Sequence, residues 1–382
     1  MPQILISTIL YLLINVLFVD KYSARITEYH YAVDLGYLVL GVALFFAIRW
    51  MMQNRKEGHY KTLLIFGGII YFILMRAVQY SIDPMTLQVD RWSAIHNFLY
   101  NFFHGIYPYA AQTHLGGYGS PFPVWQIIHI PFYLLGNVGL SFFVFLWLFL
   151  IVVAYYDSPR TAFICLLLIA FSPAAAYEVA VRSDLLTNFL GICTLCKWLQ
   201  HKQIKLNNHV LLLGIIAGLC ASTRLATLIP LGLLYGYSFL QIGWRKQCCF
   251  ILTTLATFIV TFLPFLVWDI DQLLFFRYNP FVLQTRQGSP VILLLFATIA
   301  VGWAIYKKDH LQHFSLHAGG LLSLLVVITF TYNMLSSGDY NLFSSAYDIT
   351  YFNMAMPFYI YTIAQMLNYE SVSRTHLSSP GD

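Results

Sequence analysis

The chain has 382 residues, of which 59% are hydrophobic and 10% charged, with a net charge of +5 and a mean hydropathy of +0.68. Soluble domains carry roughly 45–50% apolar and about 25% charged residues, so a water-soluble fold of this length is excluded. The positive charge is thinly spread, with no basic run able to track a phosphate backbone, so nucleic acid is not an expected partner.

In chain order, twelve apolar stretches approach the roughly 17–25 residues that a helix needs to cross a bilayer: 3–19, 34–52, 62–80, 139–155, 161–178, 184–199, 208–222, 225–243, 248–268, 290–306, 315–335 and 350–368. The first lacks a basic flank and a small-residue cleavage site, and reads as a retained helix rather than a signal peptide. A further apolar piece, 122–135, is too short to cross and holds Pro123, His129 and Pro131; it reads as re-entrant or interfacial. The fold class is therefore an all-α polytopic membrane protein with about twelve transmembrane helices, one domain over 1–382.

With the N-terminus in the cytoplasm, every lysine except Lys21 falls on the cytoplasmic side, as the positive-inside rule requires. Both termini are then cytoplasmic, and a bacterial plasma (inner) membrane is the expected location. The longest stretches outside helices, 81–121, 269–289 and 336–349, lie on the outer face. A site for chemistry is expected there.

Within 81–121, Trp92, Ile95, Phe98, Leu99, Phe102 and Phe103 recur at helical spacing after Asp90, and Gly105 ends the run. This amphipathic helix is expected to lie on the membrane surface with its apolar face in the lipid boundary. Asp90 is placed to cap it or to act as a catalytic acid or base. His96, His104, His114 and His129 follow at spacings of 8, 10 and 15, which match no compact metal motif. Cys193 and Cys196 form a CxxC inside an apolar helix, where small apolar packing is expected instead of metal or redox chemistry. No nucleotide-binding glycine fingerprint is present.

Several motifs occur in a set order. Asp90 is followed by Gly105, Pro108 and Tyr109, then by Pro121, Pro123 and Trp125, then by Gly136. Downstream come Ser172-Pro173 with Arg182-Ser183-Asp184, Gly214 and Gly218 ahead of Ser222-Thr223-Arg224, and Pro264-Phe265 with Trp268-Asp269. This order, spanning 62–290, resembles the GT-C superfamily of multi-pass glycosyltransferases that use polyprenyl-phosphate sugars, its mannosyltransferase-like members included. The first two helices have no counterpart in that pattern.

The resemblance implies an inverting transfer on the periplasmic or luminal face, with 81–136 as the outer catalytic loop. The acceptor would be a glycan, lipid or protein hydroxyl. Asp90 matches the proposed catalytic base or metal-associated carboxylate, with Asp184, Asp269 and Asp83 as supporting acids. Arg224, Arg286, Arg182 and Arg277 are candidates to hold the donor phosphate, since the guanidinium fork donates bidentately to phosphate oxygens. Arg286 stands beside Gly288, where backbone can approach a ligand closely. His104, Tyr109 and Trp125 are candidate substrate contacts. Many members pair two acids at the first site, whereas Arg91 follows Asp90 here, so a divalent-metal dependence (Mg²⁺ or Mn²⁺) stays open and no other cofactor is expected. The competing reading is a transporter or lipid flippase, which would show internal repeats and broken helices at the midplane; no repeat is evident.

Overall fold

The computed structural model describes residues 2–54, 57–285, 288–306, 313–344 and 347–377. Among them are seventeen α-helices and no strand beyond one isolated bridge, Gln112 to Tyr118. The helices are α1 (Pro2–Ser23), α2 (His30–Asn54), α3 (Glu57–Ser81), α4 (Arg91–Phe103), α5 (Pro123–Ile128), α6 (Ile130–Leu134), α7 (Ser141–Tyr156), α8 (Pro159–Ala170) and α9 (Pro173–Ala180). They continue with α10 (Leu185–His201), α11 (Val210–Ala221), α12 (Leu228–Gln241), α13 (Trp244–Trp268), α14 (Pro280–Thr285), α15 (Pro290–Tyr306), α16 (Phe314–Ser337) and α17 (Met356–Leu377).

Seven helical segments among the described residues are long and apolar enough to cross a membrane: those containing α1, α2, α3, α7, α13, α15 and α16. α8 and α9 make an eighth if taken as one span bent by 71°. α11, with 12 residues, is about 18 Å long at 1.5 Å per residue, short of a hydrocarbon core of about 30 Å. Much of the outward surface of α2 and α13 is hydrocarbon, including Leu35, Phe46, Leu252 and Val267. Apolar area on that scale requires a lipid covering.

The break between α8 and α9 has a local cause. Pro173 cannot donate a backbone hydrogen bond, and Ser172 caps the new helix by accepting from Ala175 N. The buried side chain of Asn15 in α1 completes the repair: its Oδ1 accepts from Ser172 Oγ at 2.6 Å and from Ala174 N at 3.2 Å. A broken helix in an apolar medium needs such partners. α11 lies against α13 through Gly214 and Gly218, four residues apart on one face. A Cβ at Gly218 would stand 2.6 Å from the Thr254 carbonyl oxygen. Small residues so spaced let helix backbones approach closely.

Polar contacts between distant parts of the chain sort into two ends. At one, Lys197 donates to Asp157 (2.7 Å) and to Tyr361 (2.6 Å), joining α10, α7 and α17. At the other, the loops after α3, α9, α11, α13 and α16 meet.

α4 begins and ends as its periodicity predicts, with Gly105 at φ +69° just beyond its last turn. Its environment differs from the expectation. Trp92, Ile95, Phe98 and Leu99 are buried against Tyr109, Phe122, Trp125 and Phe265, so the apolar face packs on protein, and only Phe102 and Phe103 remain outward. The aromatic residues of 105–125 supply a cover that amphipathicity alone does not reveal.

Candidate active site

The end of the molecule that carries the first long loop holds a buried set of acids and arginines. Asp184 ends the turn between α9 and α10 and is 2% exposed. Its Oδ2 accepts from Arg224 Nη2 at 2.6 Å and from the Trp125 indole at 2.7 Å. Three separate motifs of the sequence therefore converge on one carboxylate oxygen. Burial alone would raise the Asp184 carboxyl, but Arg224 and Arg91 pull it below the usual carboxylate range. Its Oδ1 is buried with no partner among the described residues, as are Arg224 Nε, Thr187 Oγ1 and Asn188 Oδ1.

Arg91 extends this set. It donates to Asp348 at 2.5 Å and to Ser183 Oγ at 3.3 Å, and its guanidinium lies 5.2 Å from the Tyr351 ring centroid. The Asp348 carboxyl, which burial would raise, is held low by Arg91 and by hydrogen bonds from Thr350. Glu178, fully buried in α9, accepts from Leu186 N and from Asn353 Nδ2. Sequence reasoning missed Glu178, Asp348 and Asn353 as site residues. The signal for Glu178 was present, since an acid inside an apolar stretch has a partner or a task; nothing local marks Asp348.

Asp90 occupies the N-cap position of α4, yet its carboxylate makes no capping hydrogen bond. Its Oδ2 instead accepts from Thr113 Oγ1 at 2.8 Å, and Thr113 in turn accepts from Gly117 N. A Cβ at Gly117 would stand 3.0 Å from Asp90 Oδ2, so glycine there lets the loop close over the acid. Asp90 is half-buried and takes part in no ion pair among the described residues. Unlike Asp184 and Asp348, it is not held by a guanidinium.

The remaining candidates are dispersed. Asp83 caps a short 3₁₀ turn, Pro84–Thr86, by accepting from Met85 N. Asp269 accepts from Gln272 N at the end of α13. Arg182, at φ +55°, donates to the carbonyls of Gln79 (2.5 Å) and Ile82 (3.1 Å), where it closes the C-terminus of α3, a favourable place for a cation. Arg277 is exposed and stacks on Tyr278. Arg286 lies outside the described residues.

Among the substrate-contact candidates, Tyr109 is buried between Phe98 and Phe265, and Trp125 serves Asp184. His104 is exposed and stacks on Tyr100. The other three histidines have separate partners: His96 meets Asn97, His114 meets Ser93 and the Leu87 carbonyl, and His129 meets Ser141 and the Trp125 carbonyl. Cys193 and Cys196 are buried and free.

Beside Arg224 opens a largely apolar groove of about 370 Å³, lined among others by Leu185, Ile229, Leu293, Phe296 and Tyr351. It shares Ile229, Phe296 and Ala297 with a second apolar cavity of about 580 Å³ that follows α12 toward the opposite end. Comparisons of the chain with protein-family models, curated proteins and solved structures return no match.

Proposed function

We propose that the chain is an integral membrane glycosyltransferase that moves a sugar from a polyprenyl-phosphate donor to a hydroxyl of a glycan, lipid or protein acceptor. The observation that carries the reading is Arg224, a buried guanidinium at the head of an apolar groove. A lipid phosphate has that same composition, an anion on a hydrocarbon tail, and arginine is suited to phosphate. The motif order around Asp90, Asp184 and Arg224 supports it independently. In this scheme α10, α11, α12 and α17 complete twelve crossings. Helices shielded by their neighbours can be shorter or more polar than lipid-facing ones, and 356–364 of α17 is wholly buried.

Asp90 takes the acceptor hydroxyl proton as that oxygen bonds to the anomeric carbon from the face opposite the leaving group. The bond from the anomeric carbon to the phosphate oxygen breaks, inverting the centre, and Arg224 stabilises the charge on the departing polyprenyl phosphate. Asp184 orients Arg224 and is too firmly ion-paired to serve as the base. The site faces the outside of a bacterial plasma membrane, with both termini in the cytoplasm. The test is incubation of purified protein with a panel of radiolabelled polyprenyl-phosphate sugars and membrane acceptors. Label transferred by the parent chain and lost in Asp90→Asn supports the reading; no transfer with any donor overturns it.

One observation favours a second reading, a lipid flippase. The apolar cavity along α12 shares Leu206 and Tyr235 with a cavity of mixed polarity, about 860 Å³, lined in part by Lys197, His201 and Lys205. Polar ends joined by an apolar path would suit movement of a lipid headgroup. Lipid translocation in liposomes without sugar transfer would favour it.

A further inference from the structure

The two helices that precede the resembling segment carry a separate group of chemistry-bearing residues. Asp20 lies in the last turns of α1, and His30 and Asp34 sit four residues apart on one face of α2. The turn between the helices brings His30 Nδ1 to 2.5 Å from Asp20 Oδ1. One ligand atom from each of the three residues lies within 4.8 Å of the other two. Asp20 and His30 side chains keep 21% exposure each, so the group is reachable from solvent. Asp34 Oδ1, by contrast, is shielded from solvent, and the Asp34 carboxyl faces that of Asp20.

Charge makes this arrangement incomplete. No lysine or arginine among the described residues forms a salt bridge with either carboxylate, and the nearby Arg25 stacks over Tyr22 at 5.0 Å. A proton on His30 would balance one carboxylate and leave the other. A divalent cation would balance both and bridge the facing Asp20 and Asp34 carboxyls. We propose that Asp20, His30 and Asp34 form a divalent-metal site that clamps α1 to α2.

The donor set selects the class of metal. One imidazole nitrogen with two carboxylates suits a borderline transition metal such as Zn²⁺, whereas Ca²⁺ and Mg²⁺ favour all-oxygen sites. Three protein ligands leave a position for water. With metal–ligand bonds of about 2.0–2.1 Å in a tetrahedron, neighbouring ligand atoms stand about 3.3 Å apart. The Asp20 to His30 contact would therefore open by somewhat less than about 1 Å, within the reach of side-chain rotation. This site is independent of the glycosyltransferase reading and shares no residue with it.

The test uses the full chain in detergent, stripped with a chelator and titrated with ZnCl₂ by calorimetry, beside Asp34→Asn and His30→Gln. The expected result is one saturable equivalent in the parent, weakened at least tenfold in each variant and not reproduced by MgCl₂. Zn²⁺ should also raise the Tm of the parent and not that of Asp34→Asn. Should a variant fail to fold, Co²⁺ added to the parent gives a readout without substitution: visible d–d absorption that Zn²⁺ displaces. Absence of saturable Zn²⁺ binding, equal binding by both folded variants, or no Co²⁺ spectrum would overturn the site.

Discussion

Arg91 donates to Asp348 across 257 positions of sequence, at 2.5 Å. The residue next to Asp90 thus draws in an acid from the far end of the chain. Because Arg91 follows Asp90 directly, the ion pair fixes the start of α4, and with it the backbone that presents the Asp90 carboxylate. Arg91 also reaches Ser183, next to Asp184, and so couples the first loop to the Arg224 ion pair.

The Asp90 carboxylate makes no cap, and Asp90→Asn keeps an acceptor for Thr113 where Asp90→Ala does not. Asp90→Asn is expected to keep the parent's Tm within a few degrees, and Asp90→Ala to lower it. Both should lose about 10²–10⁴-fold in sugar transfer, the usual contribution of a general base. Full transfer activity in Asp90→Asn would remove Asp90 from the mechanism.

Arg224 and Asp184 form a buried pair, and removing one partner of such a pair costs about 3–5 kcal/mol, because the other is left uncompensated. Arg224→Ala should therefore lower detergent stability sharply. Arg224→Lys keeps the charge but lacks the fork; it should fold and raise the KM for donor more than it lowers Tm. A KM unchanged in Arg224→Lys would argue that the residue serves only Asp184.

Acid should weaken the same region. The Asp184 and Asp348 carboxyls are both held below their ordinary value in the folded chain. Their contribution is then fully present above the unfolded carboxyl pKa of about 3.9, and is lost as pH falls through the folded values. Tm should drop as pH falls below about pH 4, with a shallower drop in Asp184→Asn. A Tm that is flat down to about pH 3 would contradict this.

Two glycines should respond oppositely to the same change. Gly218→Ala forces a methyl against the Thr254 carbonyl and Thr257, and overpacking of that kind costs about 1–3 kcal/mol. Gly302→Ala, on α15 with nothing within 4 Å, should be neutral or stabilise by up to about 1 kcal/mol through helix propensity. Thermal unfolding of the two variants side by side is the check; equal Tm values would mean α11 and α13 are less closely apposed.

Sidedness is open to labelling. In a background with the exposed Cys248 and its neighbour Cys249 changed to serine, Leu115→Cys and Tyr340→Cys should react with an impermeant thiol reagent added outside intact cells. Glu57→Cys should react only after permeabilisation. The reverse pattern would turn the end that holds Asp184 and Arg224 toward the cytoplasm.

Sequence by itself determined that the chain belongs in a bilayer and where its helical segments fall, because transfer from water to lipid is a sum over neighbouring residues. It also determined the limits of α4, because helical periodicity and a terminating glycine are local signals. It read the apolar face of α4 as lipid-facing, because amphipathicity marks a buried stripe without saying what buries it. Only the tertiary structure decided what each charged side chain holds: Asp83 a turn, Arg182 the end of α3, Trp125 and Arg224 the carboxylate of Asp184, and Arg91 the carboxylate of Asp348. Those partners lie 2 to 257 positions away. In a low-dielectric interior a charge settles on whichever partner packing brings within about 3 Å, and that distance is a property of helix packing that no local pattern encodes.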